Sequence, residues 1–333
     1  MRDGFAREGI ADMWTPVAMS REVGRAPLGL TLAGERIALF RDGQGAVSAL
    51  RDQCPHRGVK LSLGKVGPDG CLECPFHGWR FAGDGACSHI PLNPLPAEKR
   101  QRYAATAFPV RERGGLVWLY TRPGTEAPHE PFVPEALEKP GVHVGYYAET
   151  WKAHWTRAME NMLDSPHLPF VHQRTIGRSL RRRMTPESKM EVELEPTPMG
   201  FRTRSSMDGV APEGFLDWLR PNGMRLNIPI PGRLMQLHMW CIPVDREHTR
   251  MLLASARDFV RMQPLAALVD RYNVRILHED RALVESSHPA EAPPASEERS
   301  VATDRATLAF RRWYHERAAH ETPDEAPGPS LAG

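Results

Sequence analysis

From residue 13 to about 122 the apolar runs are short and broken by turn signals, the pattern of an all-β unit. ERIALF (35–40), the polar RDGQG and AVSAL (46–50) predict a hairpin. Gly83-Asp84-Gly85 marks a second turn, and PVRER, Gly114-Gly115 and LVWLY predict a further strand pair. Pro123–Pro140 is proline-rich and polar, and is the best domain boundary. Beyond it, 151–164 (WKAHWTRAMENMLD) predicts a helix ended by Pro166, and 188–260 holds strand-like runs such as MEVELEP and LMQLHMWCIPV. Residues 263–286 predict a long amphipathic helix with Leu265, Leu268, Val269, Tyr272, Ile276 and Leu283 on its apolar face. Another helix is expected over 297–319 and a disordered tail over 321–333. The expected organisation is α+β, with units over 1–125 and 126–320.

A length of 333 residues suits two domains, and 41% hydrophobic against 25% charged residues supports a sizeable core. The net charge of +2 argues against nucleic-acid binding. No apolar run is long enough for a transmembrane helix, and MRDGFAREGIADMW lacks the signal-peptide pattern, so the expected compartment is the cytoplasm. Four of the five cysteines fall between Cys54 and Cys87. Without a secretion signal, such clustering points to metal ligation before disulfides.

Cys54-Pro55-His56 and Cys74-Pro75-Phe76-His77 form C-x-H, seventeen residues, then C-x₂-H. Two thiolates and two imidazoles suit a [2Fe–2S] centre with one iron on two Cys and the other on two His. The same donors could hold zinc tetrahedrally. Each half-site here mixes one Cys with one His, whereas zinc fingers segregate them, and each half-site abuts a glycine turn, Gly58 or Gly78. Cys71 and Cys74 also spell C-x-x-C, a possible dithiol, but Cys74 is already used. Cys71 is therefore taken as a buried or free thiol, and Cys87 and Cys241 as small apolar filler.

The segment 160–172 is dense in further ligand types. His167 and His172 are five apart, which on a straight helix splays them by about 140°. Pro169 between them can break the helix and let both converge on one ion, with Asn161 and Asp164 upstream. A carboxylate could complete a two-His, one-carboxylate triad with open positions for O₂. Glu279 and Asp280 both lie near the apolar face of the 263–286 helix, where an unpaired carboxylate is costly, and periodicity does not choose between them. Glu285 is expected to be a salt-bridge partner.

CPHRGVKLSLGKV (54–66) with LECPFHGWRF (72–81) closely resembles the Rieske family, and Asn161, Asp164, His167 and His172 resemble the N-x₂-D-x₂-H-x₄-H signature of Rieske non-haem iron oxygenase α subunits. Val59 stands where cytochrome-complex Rieske proteins carry a loop cysteine. The resemblance implies that Cys54, His56, Cys74 and His77 hold the cluster and that His167 and His172 bind mononuclear Fe(II). The E-D-x-x-x-x-E-S stretch at 279–286 is similar to the family's, which makes Asp280 the third ligand, with Glu279 as the alternative. Asp164 would link a neighbouring subunit's cluster ligand, His77, to His167.

The fold implied is an N-terminal all-β Rieske domain and a C-terminal helix-grip domain, usually in a homotrimer. The partners implied are O₂, a small organic substrate and a reductase or ferredoxin drawing on NAD(P)H. The C-terminal region resembles the monooxygenase branch, which includes O- and N-demethylases. Arg225–Ile230 and Leu234–Trp240 are expected to line the pocket, with Asn227, Gln236 and His238 as polar contacts and Met162 and Phe170 nearby. Arg178–Arg183 is a candidate docking patch for an acidic electron donor. The rival readings are a Rieske electron carrier without oxygenase chemistry and a zinc-stabilised module.

Overall fold

A computed structural model describes residues 4–210 and 214–320; the predicted 321–333 tail lies outside them. A short helix α1 (Gly4–Arg7) precedes eleven strands. Three antiparallel sheets form from them. β1 (Trp14–Met19), β10 (Val110–Arg113) and β11 (Leu116–Tyr120) make the first. β2 (Leu28–Leu32), β3 (Glu35–Arg41), β4 (Val47–Arg51) and β9 (Ala107–Phe108) make the second. β5 (Lys65–Val66), β6 (Leu72–Glu73), β7 (Arg80–Phe81) and β8 (Cys87–His89) make the third, followed by the single turn α2 (Ala97–Arg100). The predicted hairpins are β3–β4, β7–β8 and β10–β11.

The second unit is one seven-stranded antiparallel sheet in the order β12-β18-β17-β16-β15-β14-β13. Its strands are β12 (His143–Trp151), β13 (Met190–Thr197), β14 (Gly200–Met207), β15 (Phe215–Leu219), β16 (Gly223–Asn227), β17 (Met235–Pro243) and β18 (Thr249–Arg257). Neighbours in sequence pair throughout, except that β12 closes onto β18. Helices α3 (Trp155–Leu163), α4 (Leu168–Val171), α5 (Arg178–Arg183), α6 (Leu265–Glu285) and α7 (Arg305–His320) complete it. Side chains alternate across the sheet. Trp218 turns to the helices and packs edge-on against Phe310 of α7 at 5.6 Å. Trp240 turns to the first unit and meets Trp118 at 5.6 Å. One hydrophobic core runs through both units, from Phe5 to Tyr314, and a smaller one surrounds Cys54 and Cys74. Among the described residues no helix is long and apolar enough to cross a membrane.

Three expectations change. Residues 151–154 are not helical: β12 runs to Trp151, and His154 caps α3 by accepting the Thr156 N–H at 3.3 Å. The last helix begins at Arg305, after the turns Ala295–Glu297 and Ala302–Asp304. The long helix lies where expected, but much of its predicted apolar face is at the surface: Leu265, Leu268, Tyr272 and Leu283 are 45–59% exposed. The buried side is Ala266, Asn273, Ile276, Leu277, Asp280 and Val284. Asn273 can be buried because its amide donates to Ser255 Oγ at 2.8 Å.

Candidate metal centres

Cys54 and Cys74 sit in two loops closed in the same way. Cys54 N–H donates to Val59 O and Gly58 N–H to Cys54 O, both at 2.8 Å; Cys74 N–H donates to Trp79 O at 2.8 Å and Gly78 N–H to Cys74 O at 3.0 Å. Gly58 and Gly78 have φ of +71° and +68°, a left-handed conformation that a side chain would strain. The loops bring the rings of His56 and His77 to 4.6 Å. His56 stacks on Trp79 at 4.5 Å and 4° between planes, and its Nδ1 is buried without a hydrogen-bond partner. Burial pushes the Cys54 thiol up to about 11, a desolvation cost that disappears for a thiolate bound to metal. Two buried thiols, two paired rings and an orphaned ring nitrogen fit a [2Fe–2S] cluster. Cys71 and Cys87 are buried thiols, and Cys241 is fully buried in the sheet.

The second centre begins where α3 ends. Asp164 is its C-cap, in extended conformation, and accepts the His167 N–H at 2.9 Å. The same carboxylate lies 3.0 Å from His167 Nδ1. The helix break therefore falls at 164–166 rather than at Pro169, which occupies the first turn of α4, where a missing N–H costs nothing. His167 and His172 flank that single turn, with rings 5.2 Å apart. Asp280 of α6 meets them: its Oδ1 is 3.2 Å from His172 Nε2 and 3.7 Å from His167 Nε2. Ligand atoms of His167, His172 and Asp280 all lie within 4.8 Å of one another. Asp280 Oδ1 is buried and makes no hydrogen bond, which suits an atom whose partner is a cation.

Periodicity could not separate Glu279 from Asp280, but the geometry does. Glu279 faces the opposite nitrogen, His172 Nδ1, at 2.9 Å and accepts the Thr175 hydroxyl at 2.6 Å. Burial lowers the pKa of His172, but Asp280 and then Glu279 outweigh it, and the net shift is upward. Asn161 lies one turn before Asp164, with its Nδ2 buried and unpaired. Its neighbour Glu160 anchors α3 to Arg311 of α7 and pairs with Arg157 within α3. Glu285 pairs with Arg281 at 2.9 Å, as expected.

The expected pocket contacts require correction. Asn227, Gln236 and His238 share the sheet face of Arg225 and Trp240, turned away from the helices; Asn227 and Gln236 bond each other at 3.3 Å. Leu226, Leu237 and Met239 occupy the helix-facing side. Sequence reasoning missed Glu279, Thr175 and Trp79 as partners of the site histidines. Only the adjacency of Trp79 to the CPFHG loop hinted at one.

Residues 13–99 match the Rieske [2Fe-2S] domain. Residues 151–320, just over half of the chain, match the vanillate O-demethylase oxygenase C-terminal domain. The chain thus belongs to the Rieske oxygenases that carry this C-terminal domain. It is 29% identical over 331 residues to chlorophyllide a oxygenase of Chlamydomonas reinhardtii, covering 92% of this chain and 48% of that protein. It is 27% identical over 339 residues to methylxanthine N1-demethylase NdmA of Pseudomonas putida, covering 96% and 93%. The solved structure of Pseudomonas putida CBB5 NdmA superposes with a TM-score of 0.77 at 27% identity, over 95% of this chain and 93% of that one. The chain spans about half the length of the chlorophyllide a oxygenase.

Proposed function

We propose that this chain is the terminal oxygenase of a multicomponent Rieske system. It inserts oxygen from O₂ into a small aromatic or heterocyclic substrate, by hydroxylation or by oxidative O- or N-demethylation. Cys54, His56, Cys74 and His77 hold the cluster; His167, His172 and Asp280 hold Fe(II). The cluster supplies single electrons, and the ferrous ion, with coordination positions left open, supplies the site for O₂. The observation that carries this reading is the second donor set, in which Asp280 Oδ1 lies buried and unpaired between two imidazole Nε2 atoms. An electron carrier has no use for it.

Asp164 fixes His167 through Nδ1 and through the backbone, and it borders a surface hollow with Asn161 and Leu283. On this reading it receives the His77 edge of a neighbouring subunit. The exposed stripe Leu265–Leu268–Tyr272 on α6 and the exposed Phe76 beside His77 supply apolar surface for a homotrimer. The two units 1–125 and 126–320 would then act across subunits, with the cluster of one serving the iron of the next. Electrons come from NAD(P)H through a reductase or ferredoxin. Arg178, Arg181, Arg182 and Arg183, all exposed on α5 a few residues beyond His172, form its docking patch. Five buried thiols, none in a disulfide, suit the reducing cytoplasm.

The test is metal content with turnover. The purified chain should hold about three irons, and His167→Ala or Asp280→Ala about two, with the reduced-cluster EPR signal kept and product formation lost. Full product formation in those variants would remove the proposal. Charge reversal of Arg181–Arg183 to Glu should slow turnover with the reductase but not with a chemical reductant. An equal loss with both would dismiss the docking patch.

A further inference from the structure

A cavity of about 120 Å³ lies in the seam between the two units, and none of the proposed cluster or iron ligands lines it. Its walls are aromatic. Trp14 of β1, Trp118 of β11 and Phe132 of the linker come from one side of the seam, and Trp240 of β17 from the other. Trp118 and Trp240 meet edge to face at 5.6 Å and make one corner. The sheet register brings in the rest of the lining. Gly223, the first residue of β16, pairs with Trp240, so the turn that precedes it, with Arg220 and Asn222, ends beside the indole. An engineered apolar cavity of roughly 150 Å³ holds benzene, so this one has room for about one six-membered ring.

Most polar groups on the lining are committed. Trp14 Nε1 donates to the His129 carbonyl at 2.7 Å, and Trp118 Nε1 to the Arg113 carbonyl at 3.2 Å. The Asn222 amide donates to the Cys241 carbonyl at 3.1 Å, and its oxygen accepts the Thr15 hydroxyl at 3.1 Å. The carboxylates of Asp12 and Glu130 are neutralised by Arg122 and Arg111. Two groups are left over. Trp240 is only 3% exposed, yet its indole N–H makes no hydrogen bond; its contacts are the rings of Trp118 and His238. Arg220 is half-buried over the Trp218 ring, with its Nε on the Met199 carbonyl at 3.3 Å, and its guanidinium has no carboxylate partner among the described residues. Both unmet groups are donors, and one is a cation. A neutral ring would leave the guanidinium unmatched, and a cationic ring would oppose it.

We infer that the seam cavity is a second ligand site, apart from the mononuclear metal centre, and that it takes a single-ring aromatic carboxylate. The ring packs against the indoles and Phe132, and the carboxylate accepts from Arg220 and from the Trp240 N–H. Because the walls come from both units, occupancy ties the units together and stabilises the fold by mass action.

The probe is benzoate, titrated into the cluster-replete full chain and followed by calorimetry, indole fluorescence and thermal melting. Benzoate should bind, quench indole emission and raise the melting temperature. Arg220→Gln should weaken that binding by about tenfold or more and remove the thermal shift, and Arg220→Lys should recover part of both. Benzamide, which keeps the ring and the shape but not the charge, should bind about tenfold or more weakly than benzoate. Met199→Trp, which fills the cavity, should abolish the event, with cluster absorbance checking its fold, and 2-naphthoate should be too large to compete. Absence of benzoate binding, binding unchanged in Arg220→Gln, or benzamide binding as tightly as benzoate overturns the inference. None of these readouts uses turnover, so the seam site and the oxygenase reading can fail separately.

Discussion

The carboxylate of Glu279 lies 2.9 Å from Nδ1 of His172, on the side of the ring turned away from Asp280. An ionised carboxylate can only accept, so this contact puts the ring proton on Nδ1 and leaves the Nε2 lone pair for a metal. Asp164 does the same for His167. Glu279→Ala should therefore weaken retention of the mononuclear iron by about 10–100-fold against a chelator, with the cluster signal unchanged. Glu279→Gln, whose amide oxygen still accepts, should recover most of it. Equal losses in both variants would show that charge, not ring orientation, is what Glu279 contributes.

Asp164 links an imidazole ring to the backbone and borders the outer hollow, so Asp164→Asn should impair transfer more than loading. Both metal centres should assemble, while reoxidation of the reduced cluster by O₂ with substrate slows by at least about tenfold. Stopped-flow absorbance of the cluster reads this directly. Reoxidation at the unmutated rate would confine Asp164 to a capping role.

The anchor behind the His167–His172 segment is ionic and buried. The side chains of Glu160, Arg157 and Arg311 are only 8–9% exposed. Glu160→Ala leaves two guanidinium groups with Glu298 as their remaining carboxylate and should cost about 3–5 kcal/mol in urea unfolding. A loss below about 1 kcal/mol would mean that Glu298 alone neutralises both.

His238 is fully buried, with neither ring nitrogen hydrogen-bonded, and burial, aided by Arg225, lowers its pKa to about 3. The folded chain refuses a proton that the unfolded chain accepts below about 6.5, so this residue costs stability as pH falls from there towards 3. Compared with His238→Leu, the unmutated protein should lose about 2 kcal/mol more between pH 7 and pH 5. A constant offset between the two denaturation curves across that range would refute the assignment.

Ligand types and their spacing were legible from sequence because they are local. The two Cys–His loops need a glycine at a fixed offset, and the histidines flanking Pro169 lie within six residues. Contacts set by packing were not legible. Which of Glu279 and Asp280 reaches the ring Nε2 atoms depends on the rotation of α6. That rotation places Leu265, Leu268 and Tyr272 outward and buries Asn273 and Asp280, against the hydrophobic pattern. The pocket face of β16 and β17 was missed for a related reason. Both sides of this sheet are covered, so apolar residues such as Trp240 and Met239 occur on alternate faces, and polarity no longer tells inside from outside.

Glu8 bonds the Trp155 indole at 3.0 Å, Arg317 donates to the Ala11 carbonyl at 2.6 Å, and Trp118 meets Trp240. The extreme N-terminal turn is thus built into the fabric of the other unit. The two halves are not interchangeable cassettes. A foreign cluster module grafted at residue 125 would have to bring or keep Phe5–Ile10, and heating should melt both halves in a single cooperative step.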